Sequence, residues 1–319
     1  MARQTDRIIA QLWMRKAEGY VPGSYSDGHH IALAAEGGGM RGVATGGMVS
    51  AIEDLGLTHC FDSVHGSSAG GAACAYLVAG QAKLGTRIFY EDLNDRRFIN
   101  MRRMWRLQPI MDKAFLVDHV MDKIKPIDFN AIQRSGTRLH IVCTDIDAGE
   151  AQVFAHFASY PDYREILKAS IALPFIAGRP VHVHGKRLMD GGLVQQIAVD
   201  SAFAAGATMV LGFQTRRRDE QMRPETSVGI QLQARLLQKA YGGKLGALYR
   251  ARNATINRSV GYLEAGMGPD GQVMGGLQLR DDITDLHRLT KDADLLRRGA
   301  QMTMDAAIAR FRTVQAALG

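Results

Sequence analysis

The chain has 319 residues, 46% of them hydrophobic, with 39 Lys and Arg against 32 Asp and Glu, a net charge of +7. That is enough apolar material for one large core, and no apolar run reaches the roughly 18 residues that a bilayer span needs. Cys60, Cys74 and Cys143 are too few and too dispersed for a disulfide framework or a metal knuckle, and each is expected in the core. The first twenty residues carry Arg3, Asp6, Arg7, Arg15, Lys16 and Glu18 with no unbroken apolar region, so no secretory signal is expected and the default compartment is cytoplasmic. The positive balance favours acidic partners, an anionic membrane surface among them, and no module for specific nucleic-acid recognition is present.

Ile8, Ile9, Leu12 and Trp13 recur at helical spacing and predict a short amphipathic helix packed on the domain, with a loop to about residue 28. The run Ile31–Ala35 then reads as a strand that empties into Glu36-Gly37-Gly38-Gly39-Met40-Arg41-Gly42. Three consecutive glycines leave backbone N–H groups unobstructed, and Arg41 adds a fixed positive charge. Such a turn can aim amides at one developing negative oxygen. The same residues also satisfy the dinucleotide fingerprint, Gly37-x-Gly39-x-x-Gly42, and Asp62 lies about twenty residues on, where a ribose-binding acid is expected. Against that reading, the second strand does not stop at Asp62 but runs through Val64 and His65 into Gly66-Ser67-Ser68-Ala69-Gly70. This stretch matches the nucleophile elbow, G-x-S-x-G, in which a serine on a sharp strand-to-helix turn is exposed only because its neighbours lack side chains. Ser68 is the candidate nucleophile. The small-residue run that follows reads as a helix whose dipole favours an oxyanion.

From Lys83 to about Pro126 the chain is rich in Arg, Met and aromatic residues and shows no strand alternation. Phe115, Val120 and Ile124 predict an amphipathic helix there. The stretch Met101-Arg102-Arg103-Met104-Trp105-Arg106-Leu107 suits either an anionic bilayer interface or a solvated basic face over a core-facing stripe. Arg138–Thr144 alternates as a strand, Gln152–Phe154 as its return, and Tyr163–Ser170 as a helix. Pro180–Leu188 reads as a hairpin with Gly185 at its tip, delivering Asp190-Gly191-Gly192. A carboxylate followed by two glycines can approach another loop closely, although Asp-Gly is also a common turn dipeptide. Beyond it come a helix (Val199–Ala205), a buried parallel strand (Thr208–Phe213), a charged loop at 216–225, and a helical pattern over Ile230–Ile256 interrupted at Gly242-Gly243 and Gly246. A strand at Val273–Leu279 and a helix at Leu295–Leu318 end the chain as given. Strands alternating with helices predict a doubly wound parallel sheet.

The blocks at Gly37–Gly42, Gly66–Gly70 and Asp190–Gly192, in that order, resemble the three signature blocks of the patatin-like phospholipases, serine acyl hydrolases that use a Ser–Asp dyad. Ala169–Phe175 and Val142–Asp145 are lesser matches. The resemblance implies an α/β fold: a three-layer, mostly parallel sheet with helices on both faces, plus a C-terminal helical extension. Its expected parts are an N-terminal helix and loop (1–28), a catalytic domain (29–215) and a mainly helical extension packed on the same domain (216–319). A helical insertion at about 83–126 would wall the acyl pocket. Carried onto this sequence, Ser68 and Asp190 are catalytic, and Gly37, Gly38, Gly39, Met40 and Arg41 form the oxyanion hole, with Arg41 as a brace. Gly42, Gly66, Gly70, Gly191 and Gly192 complete the motifs. The substrate would be a lipid or other ester, with no cofactor and no metal. Two other readings stay open. One is a triad of Ser68, Asp190 and His287, for which His65, His182 and His184 are further candidate bases; His182 and His184 also share a strand face in a weak metal reading. The other is a lipid-binding protein that keeps the fold without turnover.

Overall fold

Strands that lack side-chain alternation in polarity must be covered on both faces, and here they form the middle of one sheet. The computed structural model describes residues 2–106, 108–216, 227–278, 283 and 285–318. Helix α1 (Ala2–Ala17) precedes strand β1 (Ile31–Ala35) and α2 (Val43–Asp54), and β2 (Ser63–Ser67) leads into α3 (Ala69–Val78) and α4 (Ala82–Glu91). A 3₁₀ turn at Met101–Arg106 and a π-helical segment at Phe115–Ile124 separate these from α5 (Phe129–Arg134) and β3 (Arg138–Asp145). Next come β4 (Glu150–Phe154), α6 (Tyr160–Ile171), the hairpin β5 (Val181–Val183) and β6 (Lys186–Asp190), then α7 (Val199–Ala204) and β7 (Met209–Gln214). The elements α8 (Val228–Tyr241), α9 (Leu245–Ala265), β8 (Val273–Gln278) and α10 (Ala293–Ala316) follow.

The sheet runs β5-β6-β3-β2-β1-β7-β8, with β4 paired to β3. Strands β3, β2, β1, β7 and β8 are parallel, and only the β4, β5 and β6 pairings are antiparallel. The expected α/β sheet with helices on both faces is therefore present. Alternate residues of β1 define the two faces. Ile31, Leu33 and Ala35 join the large cluster under α1, α2, α3 and α10, whereas Ala32 and Ala34 pack with Val199, Ala202 and Leu263 from α7 and α9. Strand β8, from the last third of the chain, hydrogen-bonds to β7 along its whole length.

Helix α1 buries Ile8, Ile9 and Leu12 completely, and its Arg15 guanidinium is also buried, ion-paired with Asp27 at 2.7 Å and Asp62 at 2.8 Å. Asp62 further accepts from Tyr20 Oη (2.6 Å) and from the Gly23 and Ile31 amides (both 2.8 Å). An acid so fully engaged has no capacity left for a ribose, and the dinucleotide reading loses its second element. Two local expectations are corrected. In the π-helical segment the i→i+5 bonding widens each turn, so the buried residues are Leu116, Val117, Val120 and Met121, and Ile124 is exposed. His184 lies in the β5–β6 turn, where it and Gly185 both have positive φ (50° and 76°), so it does not share a strand face with His182. The charged loop expected at 216–225 lies outside the described residues beyond Arg216, as does Leu279 at the expected end of β8.

Candidate active site

Strand β2 ends at Ser67, and Ser68 turns the chain into α3 with φ 54° and ψ −128°. That conformation belongs to glycine, and a side chain there carries strain. The flanking glycines are required by contact: a Cβ on Gly66 would lie 2.5 Å from the Gly70 carbonyl carbon. The elbow is held from below, since the Ser68 N–H donates to Ser170 Oγ (2.9 Å) and that hydroxyl donates to Val142 O (2.7 Å). Ser67 faces elsewhere, buried and donating to Gln195 O at 3.0 Å.

Register explains how Asp190 reaches Ser68. Strand β4 pairs with β3 over Ile141–Asp145, β2 over Arg138–Val142 and β6 over Cys143–Asp145, so β2 and β6 must share the other edge of β3. They approach along it from opposite ends. Ser67 sits opposite Val142, and Asp190 sits opposite the next residue, Cys143. Gly191 occupies the junction, where a Cβ would lie 2.1 Å from Val142 O and 2.9 Å from Ser67 Cβ. The Asp190 carboxylate accepts from the Gly192 amide at 2.7 Å, and Thr144 Oγ1 anchors its carbonyl at 2.8 Å. Burial raises the Asp190 pKa above the usual carboxylate value, opposed by the Gly192 amide, by a hydrogen bond from Ser68 and by the charges of Arg252 and Arg288.

The glycine turn lies across from this pair. Of the residues expected to form the oxyanion hole, two use their amides elsewhere: Gly37 N–H donates to Gln196 O and Met40 N–H to Arg288 O, both at 3.1 Å. Those two donors are therefore engaged within the protein. Among the described residues the amides of Gly38 and Gly39 have no protein acceptor. Gly39 has φ +60°, and a Cβ there would meet Arg288 O at 2.8 Å. Arg41 runs beneath the turn beside Gly38, 4.0 Å from Glu36. Gly42 packs against the start of α3, where a Cβ would lie 2.5 Å from Ala69 Cβ.

Ser68 and Asp190 open on two adjoining cavities. The larger, about 810 Å³ out to its mouth, is apolar and is lined by Phe89, Leu93, Phe98, Met111, Leu116 and Met121 from the segment expected to form a wall, with Ala72 and Tyr76 from α3. The smaller, about 250 Å³ out to its mouth, touches Gly37, Gly38, Gly39, Gln196, Arg252 and Arg288. No histidine among the described residues lines either cavity. His65 is fully buried behind the elbow between Ser63 and Ser201 (both 2.8 Å) and stacked on His140, and its pKa lies well below the ordinary value because burial and neighbouring histidines disfavour its charge. His184 pairs with Asp162 on the surface, and His287 is exposed.

The family model of the patatin-like phospholipases matches residues 33–203, a segment that contains the elbow, the glycine turn and Asp190. The chain belongs to the patatin-like phospholipase family. The uncharacterised protein YjjU of Escherichia coli is 24% identical over 188 residues, 58% of this chain and 52% of that protein, so the chain spans about half the length of the curated relative it matches. The crystal structure of VipD from Legionella pneumophila matches with a TM-score of 0.45 and 13% identity, over 89% of this chain and 67% of that one. Sequence reading missed Gln196, Arg252 and Arg288 at this site. The two arginines lie beyond the matched segment, Arg252 within a helical pattern and Arg288 between the expected strand and the last helix, and no motif marks either.

Proposed function

We propose that this chain is a serine acyl hydrolase that cleaves carboxylic esters of lipids through a Ser68–Asp190 dyad. The observation that carries the reading is the buried Asp190 carboxylate lining, together with a strained Ser68, the same apolar pocket. Asp190 accepts the proton as Ser68 Oγ attacks the ester carbonyl, then activates water against the acyl-enzyme. The amides of Gly38 and Gly39 stabilise the tetrahedral oxyanion, and the apolar cavity takes the acyl chain. The absence of histidine from both cavity linings among the described residues favours the dyad over a triad. The exposed Met101, Met104 and Trp105, the last 87% accessible, stand among Arg102, Arg103 and Arg106 and suit contact with an anionic bilayer.

Fluorophosphonate labelling with peptide mapping, followed by turnover of a soluble p-nitrophenyl ester, tests the reading. The adduct is expected on Ser68, and Asp190→Asn should lower kcat by about 10⁴-fold with the fold intact. Replacing His65, His182, His184 or His287 by Gln, one at a time, should cost far less. An adduct on Ser67, or collapse in a single histidine variant while Asp190→Asn still turns over, refutes the dyad.

A further inference from the structure

The glycines that let two turns close on Ser67 also leave those turns soft. A Cβ on Gly37 would lie 2.6 Å from Ser67 O, and one on Gly191 would lie 2.9 Å from Ser67 Cβ, so neither position has room for a side chain. Glycine has the most backbone freedom of any residue, and Gly37-Gly38-Gly39 and Gly191-Gly192 string such residues together. A base and its oxyanion donors must hold their places to a fraction of an ångström, so stiffness has to come from outside the turns. One guanidinium reaches both. Arg252 of α9 donates from Nε to Gly192 O (2.9 Å) and from Nη2 to Gln196 Oε1 (2.6 Å). On the first branch the Gly192 N–H donates to Asp190 at 2.7 Å, so both polar groups of that glycine are fixed. On the second, the Gln196 carbonyl accepts the Gly37 N–H (3.1 Å), and the Gln196 side-chain amide donates to Gly37 O (3.4 Å) and Glu36 Oε1 (2.7 Å). Gly37 is thereby held at both of its polar groups as well. Helix α9 is a firm base for this fork: Leu245 packs with Met189 and Leu193 at one end, and Leu263 with Ala32 and Ala34 at the other.

We propose, on the Ser68–Asp190 reading above, that Arg252 is a positioning residue that locks the carboxylate turn and the glycine turn to α9, and so to each other. It acts through Gly192 and Gln196. A guanidinium suits the place because its planar fork holds two acceptors at a fixed spacing, which the single ammonium of a lysine cannot do. Its charge has a second effect. Asp190 faces the cations Arg252 and Arg288 and, from β3, the Cys143 thiol, and the two cations favour the ionised carboxylate that a general base requires. Arg252 lies beyond the family-matched segment, so in this chain the last third contributes to the site as well as to the sheet.

Steady-state kinetics of the full chain on p-nitrophenyl butyrate, measured across a range of pH, test this with Arg252→Gln, Arg252→Lys and Gln196→Ala. Arg252→Gln should lower kcat by about 10²-fold with KM changed less than about threefold. It should also move the acid limb of kcat/KM up by about one pH unit, because a neutral side chain no longer favours the carboxylate. Arg252→Lys keeps the charge and loses the fork, so its acid limb should stay in place while kcat falls by about tenfold. Gln196 lies on the same path, so adding Gln196→Ala to Arg252→Gln should cost less than the product of the two single losses. Thermal melts followed by circular dichroism separate this role from a purely structural one. An arginine that only holds the fold together lowers Tm and leaves kcat and the acid limb of the folded enzyme unchanged, and that result overturns the proposal. Fully multiplicative losses in the double variant overturn the path through Gln196. Should Arg252→Gln not fold, Arg252→Lys decides alone: a kcat within about threefold of the unmodified protein removes the need for a fork. Fluorophosphonate labelling keeps the two readings apart. Labelled Ser68 with unimpaired Arg252 variants sinks the positioning role alone, and an active protein with no label on Ser68 sinks the dyad and the positioning role together.

Discussion

Replacing Ser68 by glycine and by alanine isolates the strain at the elbow. Both variants remove the hydroxyl, so that loss cancels in the comparison. What differs is the backbone. At φ 54° and ψ −128° a Cβ is held in a sparsely populated conformation that costs about 1–3 kcal/mol, and glycine relieves it. Two effects oppose the gain: glycine is more disordered in the unfolded chain, by about 0.5–1 kcal/mol, and loses the contact of one half-buried methyl, worth less than about 0.8 kcal/mol. The balance favours Ser68→Gly over Ser68→Ala by about 1 kcal/mol. At roughly 2.1 cal/mol/K of unfolding entropy per residue, that difference raises Tm by about 1.5 °C in a chain of this length. Paired urea melts with a common m-value measure it more directly. Ala309→Gly, at an exposed site inside α10, serves as the control of opposite sign and should destabilise by about 1 kcal/mol. Ser68→Ala proving as stable as Ser68→Gly, with the control behaving normally, would refute a strained nucleophile.

Two further outcomes follow from charge. Replacing Arg102 and Arg103 together by Glu should weaken binding to anionic vesicles by more than about tenfold, since each cation near such a surface is worth about 1 kcal/mol; co-sedimentation in low salt that shows no change assigns the segment to solubility. Burial and neighbouring charges hold His140 down at about 4 and push His30 and His65 below their ordinary value, so below pH 6.5 the unfolded chain takes up protons that the folded chain refuses. Stability should be full above pH 6.5 and fall as the pH drops toward 4, with His140 alone costing about 2 kcal/mol by pH 5, and urea midpoints of His140→Gln should show a shallower decline.

The elements that the sequence made legible are those where backbone contact leaves no choice of residue. Gly66, Gly70 and Gly191 are glycines because another main chain occupies the space of their Cβ, so they can be read without knowing what presses on them. The sheet was legible for a similar reason, since β1 and β7 are buried on both faces and are apolar along Ile31–Ala35 and from Met209 to Phe213. What could not be read depends on partners remote in the chain. Nothing local to Gly37 or Met40 says that Gln196 and Arg288 will accept their amide protons, and nothing around Arg252 says that α9 will point it at Gly192. Ile124 was misplaced because i→i+4 spacing was assumed where the chain adopts i→i+5 bonding.

In the proposed dyad a carboxylate would serve as the only base, which needs two things that a histidine base receives from a third residue: a fixed orientation and a raised affinity for protons. Here the sheet supplies the first. Asp190 is the last residue of a strand that meets β2 along one edge of β3, so its position relative to Ser68 is set by the ladder rather than by a loop, and the Gly192 amide fixes its carboxylate. Burial supplies the second, and in doing so lowers stability. A carboxylate whose folded pKa is raised destabilises the native state at every pH above its unfolded pKa, because the unfolded chain ionises more readily. The strained Ser68 lies one residue away along the same edge and costs stability as well. Both unfavourable features therefore sit where β3 is paired on both edges, β4 on one and β2 with β6 on the other. A loop carrying the same pair would relax by moving either group. Residues hydrogen-bonded into a continuous ladder cannot relax without breaking it, which is what the proposed chemistry would need of the seam between two strands.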